Sequence, residues 1–146
     1  MRVLVLDGPN LNLVGTREPH IYGSTTLDEI HTMVRGHAAG LGLEVETFQS
    51  NHEGALIDRL HRKDFDAAIV NAGGLTHTSV SLRDALLAVD RPFVEVHLSD
   101  PSQRETFRRV NFLQDIAVAS FVGMGPQGYL AALDELARRR AAGEIG

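Results

Sequence analysis

The chain has 146 residues, 43% apolar and 23% charged, which suits one soluble domain long enough to bury a sizeable core. A net charge of −5, with no basic run longer than Arg138-Arg139-Arg140, excludes the basic face of a nucleic-acid binder. The absence of cysteine excludes disulfides and thiolate metal sites. The chain shows no secretory h-region and no apolar stretch able to span a bilayer, so a cytoplasmic location and no membrane partner are expected.

The elements alternate strand and helix. Val3 to Leu6 is an apolar run that reads as a first strand. After it comes Gly8 to Gly23, far longer than the two to six residues usual for such a connection. Long ordered loops of this kind tend to be lids or binding loops. This one carries Arg17 and Tyr22 between glycines that could hinge it. Thr26-Leu27-Asp28-Glu29 has the form of a capping box, and Leu27, Ile30, Val34 and Ala38 follow at helical spacing up to Gly40 and Gly42. Val45 to Phe48 is the second strand, and Glu53 to Leu60 a short helix with Leu56, Ile57 and Leu60 on one face. Ala67 to Val70 is a continuous apolar run typical of a strand buried on both faces. Ser79 to Val89 is a helix, Phe93 to Val96 the fourth strand, and Gln103 to Arg109 a helical turn or two. Ile116 to Val122 is the fifth strand. A glycine-rich turn, Gly123 to Gly128, leads into a closing helix from Tyr129 to Arg140, and Ala141 to Gly146 is expected to fray.

Strands spaced by helices predict βαβ units and a parallel sheet covered on both faces. For five strands the flavodoxin-like order 2-1-3-4-5 leads, an α/β three-layer sandwich in one domain spanning 1–146. Ligands bind such sheets beyond the carboxyl ends of the strands, at the switch point. In that order one crevice collects Asn10, Asn71, His77, His97 and Ser99, roofed by the Arg17–Tyr22 loop.

Each of these residues also has a structural reading. Asn10 and Asn12 suit turns through side-chain to backbone bonds. Tyr22 could anchor its loop, Arg17 could pair with Glu18 or Asp28, and His97 could be a hydrogen-bonded core histidine. Thr76 to Ser79 could be a helix N-cap run, and Arg108 part of a solvated face. His52, His77 and His97 with Asp100 offer nitrogen and oxygen ligands, but without tight metal-binding spacing. Gly123-Met124-Gly125-Pro126-Gln127-Gly128 matches G-x-G-x-x-G, yet it follows the last strand, with no βαβ unit behind it. A tight turn explains those glycines equally well.

Taken together, several motifs resemble the signature of the type II 3-dehydroquinate dehydratases. They are Gly8-Pro9-Asn10-Leu11-Asn12, Arg17-Glu18-Pro19, Tyr22-Gly23, and the segment Gln49-Ser50-Asn51-His52-Glu53-Gly54. Further along come Asn71 to Ser79, Leu82-Arg83-Asp84-Ala85, Glu95-Val96-His97-Leu98-Ser99, Arg104 to Arg108, and Gly123 to Tyr129. The resemblance covers essentially the whole chain in order. It implies a flavodoxin-like fold and loss of water from 3-dehydroquinate to give 3-dehydroshikimate, in aromatic biosynthesis or quinate breakdown, with no metal and no cofactor. By resemblance Tyr22 is the base, His97 the acid, Arg17 the lid cation, and Asn10 an enolate stabiliser through a water. Asn71, His77, Leu98, Ser99 and Arg108 would bind substrate, Glu95 would orient His97, and Asp84 would reach a neighbouring subunit's site. It also implies a homododecamer built from trimers.

The chemistry of these residues agrees. A tyrosine with a reference pKa near 10 needs a shift of about three units, roughly 4 kcal/mol, to act as a base near neutrality. Burial alone pushes the wrong way, and an adjacent guanidinium pushes the right way. Glu95 stands two residues before His97, on the same side of the strand. The chain departs from the family's pattern at Asp7, where asparagine is common, at Asp100-Pro101-Ser102, and at Asn111 to Asp115. The added carboxylates are expected to work against binding of an anion. Two other readings predict different behaviour. A small-anion or nucleotide-binding module would be stabilised by a nucleotide, and a metal-dependent hydrolase would be inhibited by a chelator.

Overall fold

The computed structural model describes residues 1–16, 20 and 23–146. Its sheet has five parallel strands in the order β2-β1-β3-β4-β5. These are β1 (Arg2–Asp7), β2 (Glu44–Gln49), β3 (Ala67–Asn71), β4 (Phe93–His97) and β5 (Ala119–Val122). The helices are α1 (Leu27–Gly40), α2 (Glu53–His61), α3 (Val80–Val89) and α4 (Gln127–Ala141).

The strand period of two divides the core into two layers. Val3, Val5, Ile69, Val94 and Val96 pack with Ile30 and Val34 of α1 and Leu133 and Leu136 of α4. Leu4, Leu6, Ala68 and Val70 face the other way, onto Leu56 and Leu60 of α2 and Leu82 and Leu86 of α3. All five residues of β3 are buried, as its continuous apolar run predicts for the middle of a parallel sheet. The order matches the expected one, and the carboxyl ends of β1, β3 and β4 lie side by side.

Local signals set the helix ends. Thr26 accepts from the Glu29 amide at 3.2 Å, while the Glu29 carboxylate takes the Thr26 amide at 3.3 Å, so the capping box is complete. Ser79 caps α3 through the Leu82 amide at 2.8 Å. The 123–128 turn owes its glycines to backbone geometry. Gly123 and Gly125 take φ of 75° and 59°, and a Cβ on Gly128 would stand 3.3 Å from a Val96 methyl.

Two expectations are corrected. The fifth strand covers only Ala119–Val122, because a 3₁₀ turn, Gln114–Ile116, takes up the start of the predicted run. The helical turn expected within 103–109 is present as the 3₁₀ turn Thr106–Arg109, preceded by another at Pro101–Gln103. The tail after α4 is tied down rather than loose. Arg138 and Arg139 both reach Glu144, the Glu144 amide donates to the Arg139 carbonyl, and Ile145 packs against the core.

Candidate active site

One crevice opens where the carboxyl ends of β1, β3 and β4 meet, the place the switch-point rule assigns to ligands. Asn10, Asn71, His77, His97, Leu98, Ser99 and Arg108 all line it, each delivered by a segment the sequence singled out. Asn10 takes a left-handed φ of 70° just after β1, a conformation asparagine tolerates, and its amide donates to Asn51 Oδ1 at 2.9 Å. Asn71 closes β3 and is buried, His97 closes β4 and is buried, and Ser99 and Arg108 are half-buried. Pro101 and Arg104 also line the crevice, and the sequence reading had not assigned them a role.

Asp84 is not among the lining residues. It sits on the exposed side of α3. Arg17 and Tyr22 lie outside the described residues. Among the described residues, no group of three or more histidines and carboxylates is placed to hold a metal ion, and His52, His77, His97 and Asp100 form no such group.

The crevice has two histidines with different settings. His97 Nε2 lies 2.8 Å from Glu95 Oε2, as the two-residue spacing along β4 anticipates. Glu95 is fully buried and accepts twice more, from Asn111 Nδ2 at 2.8 Å and from Ser120 Oγ at 2.9 Å. Burial pushes the Glu95 carboxyl up, but His97, Asn111 and Ser120 together outweigh it and hold the group below the usual carboxylate range. Glu95 is therefore an anion fixed at the Nε2 edge of the imidazole. His77 instead sets Nδ1 against the Val110 carbonyl at 2.6 Å. A carbonyl only accepts, so Nδ1 carries the hydrogen and Nε2 is left as an acceptor. Burial lowers the His77 pKa, against the raising effect of that carbonyl, and favours this neutral form.

The supporting residues were not legible beforehand. Ser120 faces Glu95 because β4 and β5 pair in a register that sets these two opposite each other. Asn111 arrives on the irregular segment after the 3₁₀ turns, where its own Oδ1 also caps the Leu113 and Gln114 amides. Asp115 was expected to add negative charge close to the anion end of the site. It forms a two-pronged ion pair with Arg83 instead. Asp100 spends its carboxylate on the Ser102 amide at 3.0 Å and hydroxyl at 2.7 Å. Asp115 is thus paired with a cation of α3, while the Ser102 hydrogen bonds hold the Asp100 carboxyl below the usual carboxylate range and leave its charge in place.

Fold and crevice together define a parallel α/β protein with a buried Glu–His pair at its switch point. The family model described as dehydroquinase class II matches residues 1–137. A catabolic 3-dehydroquinase of Emericella nidulans is 53% identical over 137 residues, covering 92% of this chain and 90% of that protein. A 3-dehydroquinate dehydratase of Janthinobacterium sp. is 54% identical over 134 residues, covering 90% of this chain and 92% of its own length. Among solved structures, the type II dehydroquinase from Butyrivibrio crossotus superposes with a TM-score of 0.90 at 38% identity, covering 93% of this chain and 97% of that one. The chain belongs to the class II dehydroquinase family.

Proposed function

We propose that this chain, as one catalytic domain, removes water from 3-dehydroquinate to give 3-dehydroshikimate through an enolate, with the crevice between β1, β3 and β4 as its active site. The observation that carries this reading is the buried Glu95–His97 pair opening into a crevice lined by neutral hydrogen-bonding groups with Arg104 and Arg108. The relatives with the printed names 3-dehydroquinase and 3-dehydroquinate dehydratase support it. The same activity serves quinate breakdown and aromatic biosynthesis.

The hydrogen lost lies on carbon next to a ketone, so its removal leaves an enolate. Tyr22, assisted by the Arg17 charge, is proposed as the base. The chain has two tyrosines, and Tyr129 is unsuited to the task. It is fully buried, its hydroxyl donates to Asp7 at 2.6 Å, and burial with the Asp7 charge pushes its pKa well above the usual value. The enolate then expels the β-hydroxyl, and the carbon–oxygen bond breaks as His97 donates a proton to it. Nε2 of that ring is committed to Glu95, which leaves Nδ1 to face the leaving oxygen. Asn10 would steady the enolate oxygen through a water. Asn71, the Nε2 of His77, Leu98 and Ser99 would hold the substrate's hydroxyls and carboxylate, and Arg108 would meet an anion with its fork.

The resemblance also supports a homododecamer of trimers. Asp84 is exposed and outside its own chain's crevice, so it could serve a site only from a neighbouring subunit.

The test is to mix purified protein with 3-dehydroquinate and follow the ultraviolet absorbance of the conjugated enone, with and without chelator. Turnover insensitive to chelator is expected, and Tyr22→Phe should bind substrate yet lose turnover. Absence of product, or a Tyr22→Phe variant with most of its activity, would remove the proposal.

A further inference from the structure

Behind the crevice a buried polar chain runs from Asn71 into the layer between the sheet and helices α1 and α4. Asn71 Nδ2 lies 2.9 Å from the Tyr129 hydroxyl, and that hydroxyl lies 2.6 Å from Asp7 Oδ1. Asp7 Oδ2 in turn lies 2.7 Å from His31 Nε2. Asp7 and Tyr129 are wholly buried, and His31 and Asn71 nearly so. A buried polar network is costly unless each member is satisfied. None of the steps above uses Asp7, Tyr129 or His31. We propose that Asp7, acting through Tyr129, is a positioning residue that decides which way round the Asn71 amide meets the substrate.

The argument is one of donors and acceptors. The two ends of an asparagine amide are nearly the same size, so shape alone does not choose between them; only their partners do. An ionised carboxylate accepts and never donates. The single Tyr129 proton must therefore point at Asp7, and the hydroxyl turns a lone pair toward Asn71. Only the NH₂ end of Asn71 can face it. The other end agrees, since Asn71 Oδ1 takes the Gly73 amide at 3.3 Å. Burial and the Asp7 charge both keep the proton on Tyr129. His31 holds the far oxygen of Asp7 to α1, which stops the carboxylate from rotating away. What remains for the crevice is one amide hydrogen and one carbonyl lone pair, each in a set place.

An amide at position 7 would remove this directionality. Its NH₂ could donate to Tyr129, the hydroxyl proton would be free to swing to Asn71, and the Asn71 amide could turn over. The departure from the family's pattern at Asp7 thus acquires a consequence inside the site.

The proposal rests on the assignment of Asn71 to substrate binding made above, and two measurements keep the two apart. Asp7→Asn preserves shape and removes the buried charge. Its KM for 3-dehydroquinate should rise about tenfold, the factor set by one misdirected hydrogen bond. The pH profile of kcat should keep its shape, because the groups that move protons are untouched. A purely structural fault would instead lower kcat with the fraction of active protein and leave KM alone. Neutron diffraction from deuterated wild-type crystals should show the Tyr129 deuteron directed at Asp7 and an Asn71 amide deuteron directed at Tyr129. A wild-type KM in folded Asp7→Asn, a loss confined to kcat, or a Tyr129 deuteron aimed at Asn71 would each overturn the proposal. If Asp7→Asn does not fold, the neutron map decides. Failure of the wild-type protein to turn over 3-dehydroquinate would sink the functional reading, and the neutron map would still report the Asn71 orientation.

Discussion

Glu95→Gln isolates the charge behind His97 from the shape that surrounds it. Glu95 accepts from His97 and Asn111 on one oxygen, at 2.8 Å each, and from Ser120 on the other at 2.9 Å. Glutamine fits the same space. With its carbonyl toward His97 and Asn111, its NH₂ meets the Ser120 hydroxyl, which can rotate to accept. All partners survive, so the fold should survive. The charge does not. A hydrogen bond to a charged group contributes about 1.5–3 kcal/mol and a neutral one about 0.5–1.5 kcal/mol, so the His97 bond alone weakens by about 1–2 kcal/mol. The carboxylate favours the form of the ring that holds the proton to be donated, so losing that difference makes the donor form scarcer and kcat falls about 5- to 30-fold. Glu95 is fully buried and does not line the crevice, so KM should change little. Steady-state kinetics by enone absorbance, alongside thermal unfolding of the same samples, measures both. A wild-type kcat in a folded variant would show that Glu95 does not act through His97. A raised KM at constant kcat would show a binding role instead.

Acid should test the same carboxylate through stability. The folded Glu95 pKa lies below the ordinary carboxylate value of about 4.5, so its contribution is present above that value and is lost as pH falls through the folded pKa. Denaturation midpoints of wild type should therefore approach those of Glu95→Gln on acidification below about pH 4.5, and a gap that stays constant down to pH 2.5 would contradict this. Gly8→Ala places a Cβ 2.3 Å from the Ala72 carbonyl oxygen, backbone against backbone, so β1 and β3 must part at the crevice. Its soluble yield or activity should collapse, and a variant with normal unfolding temperature and kinetics would refute the close approach. Arg59→Ala removes a buried guanidinium from Glu46 and Asp64, at 2.9 and 2.7 Å. The partly exposed carboxylates can rehydrate, so a cost of about 1–3 kcal/mol in urea melts is expected, with kcat unchanged.

Much of this molecule can be read along the chain because it depends on local pattern. The alternating core faces of β1, the all-buried β3, the Thr26–Glu29 box and the Ser79 cap each follow from residues a few positions apart. The site was legible for a similar reason. In a parallel sheet the chemistry gathers at strand carboxyl ends, so the sequence pattern alone places Asn10, Asn71 and His97 at the crevice. Glu95 followed from the two-residue period of a strand. Element boundaries were less certain where irregular turns compete with strand, as at 114–116 ahead of β5.

What the sequence determined by itself is therefore the order of elements, the sheet topology and the residues that strand ends bring to the crevice, though not Pro101 or Arg104, since periodicity and strand polarity are properties of neighbouring positions. The tertiary structure alone decided the partners of those residues. Ser120 reaches Glu95 through strand register, Asn111 through the path of an irregular segment, and Tyr129 reaches Asp7 across 122 positions. It also showed that Asp115 is spent on Arg83 rather than left beside the anion end of the site. Such pairings are decided by packing of distant segments against one another, and nothing in the local pattern of either partner encodes the other.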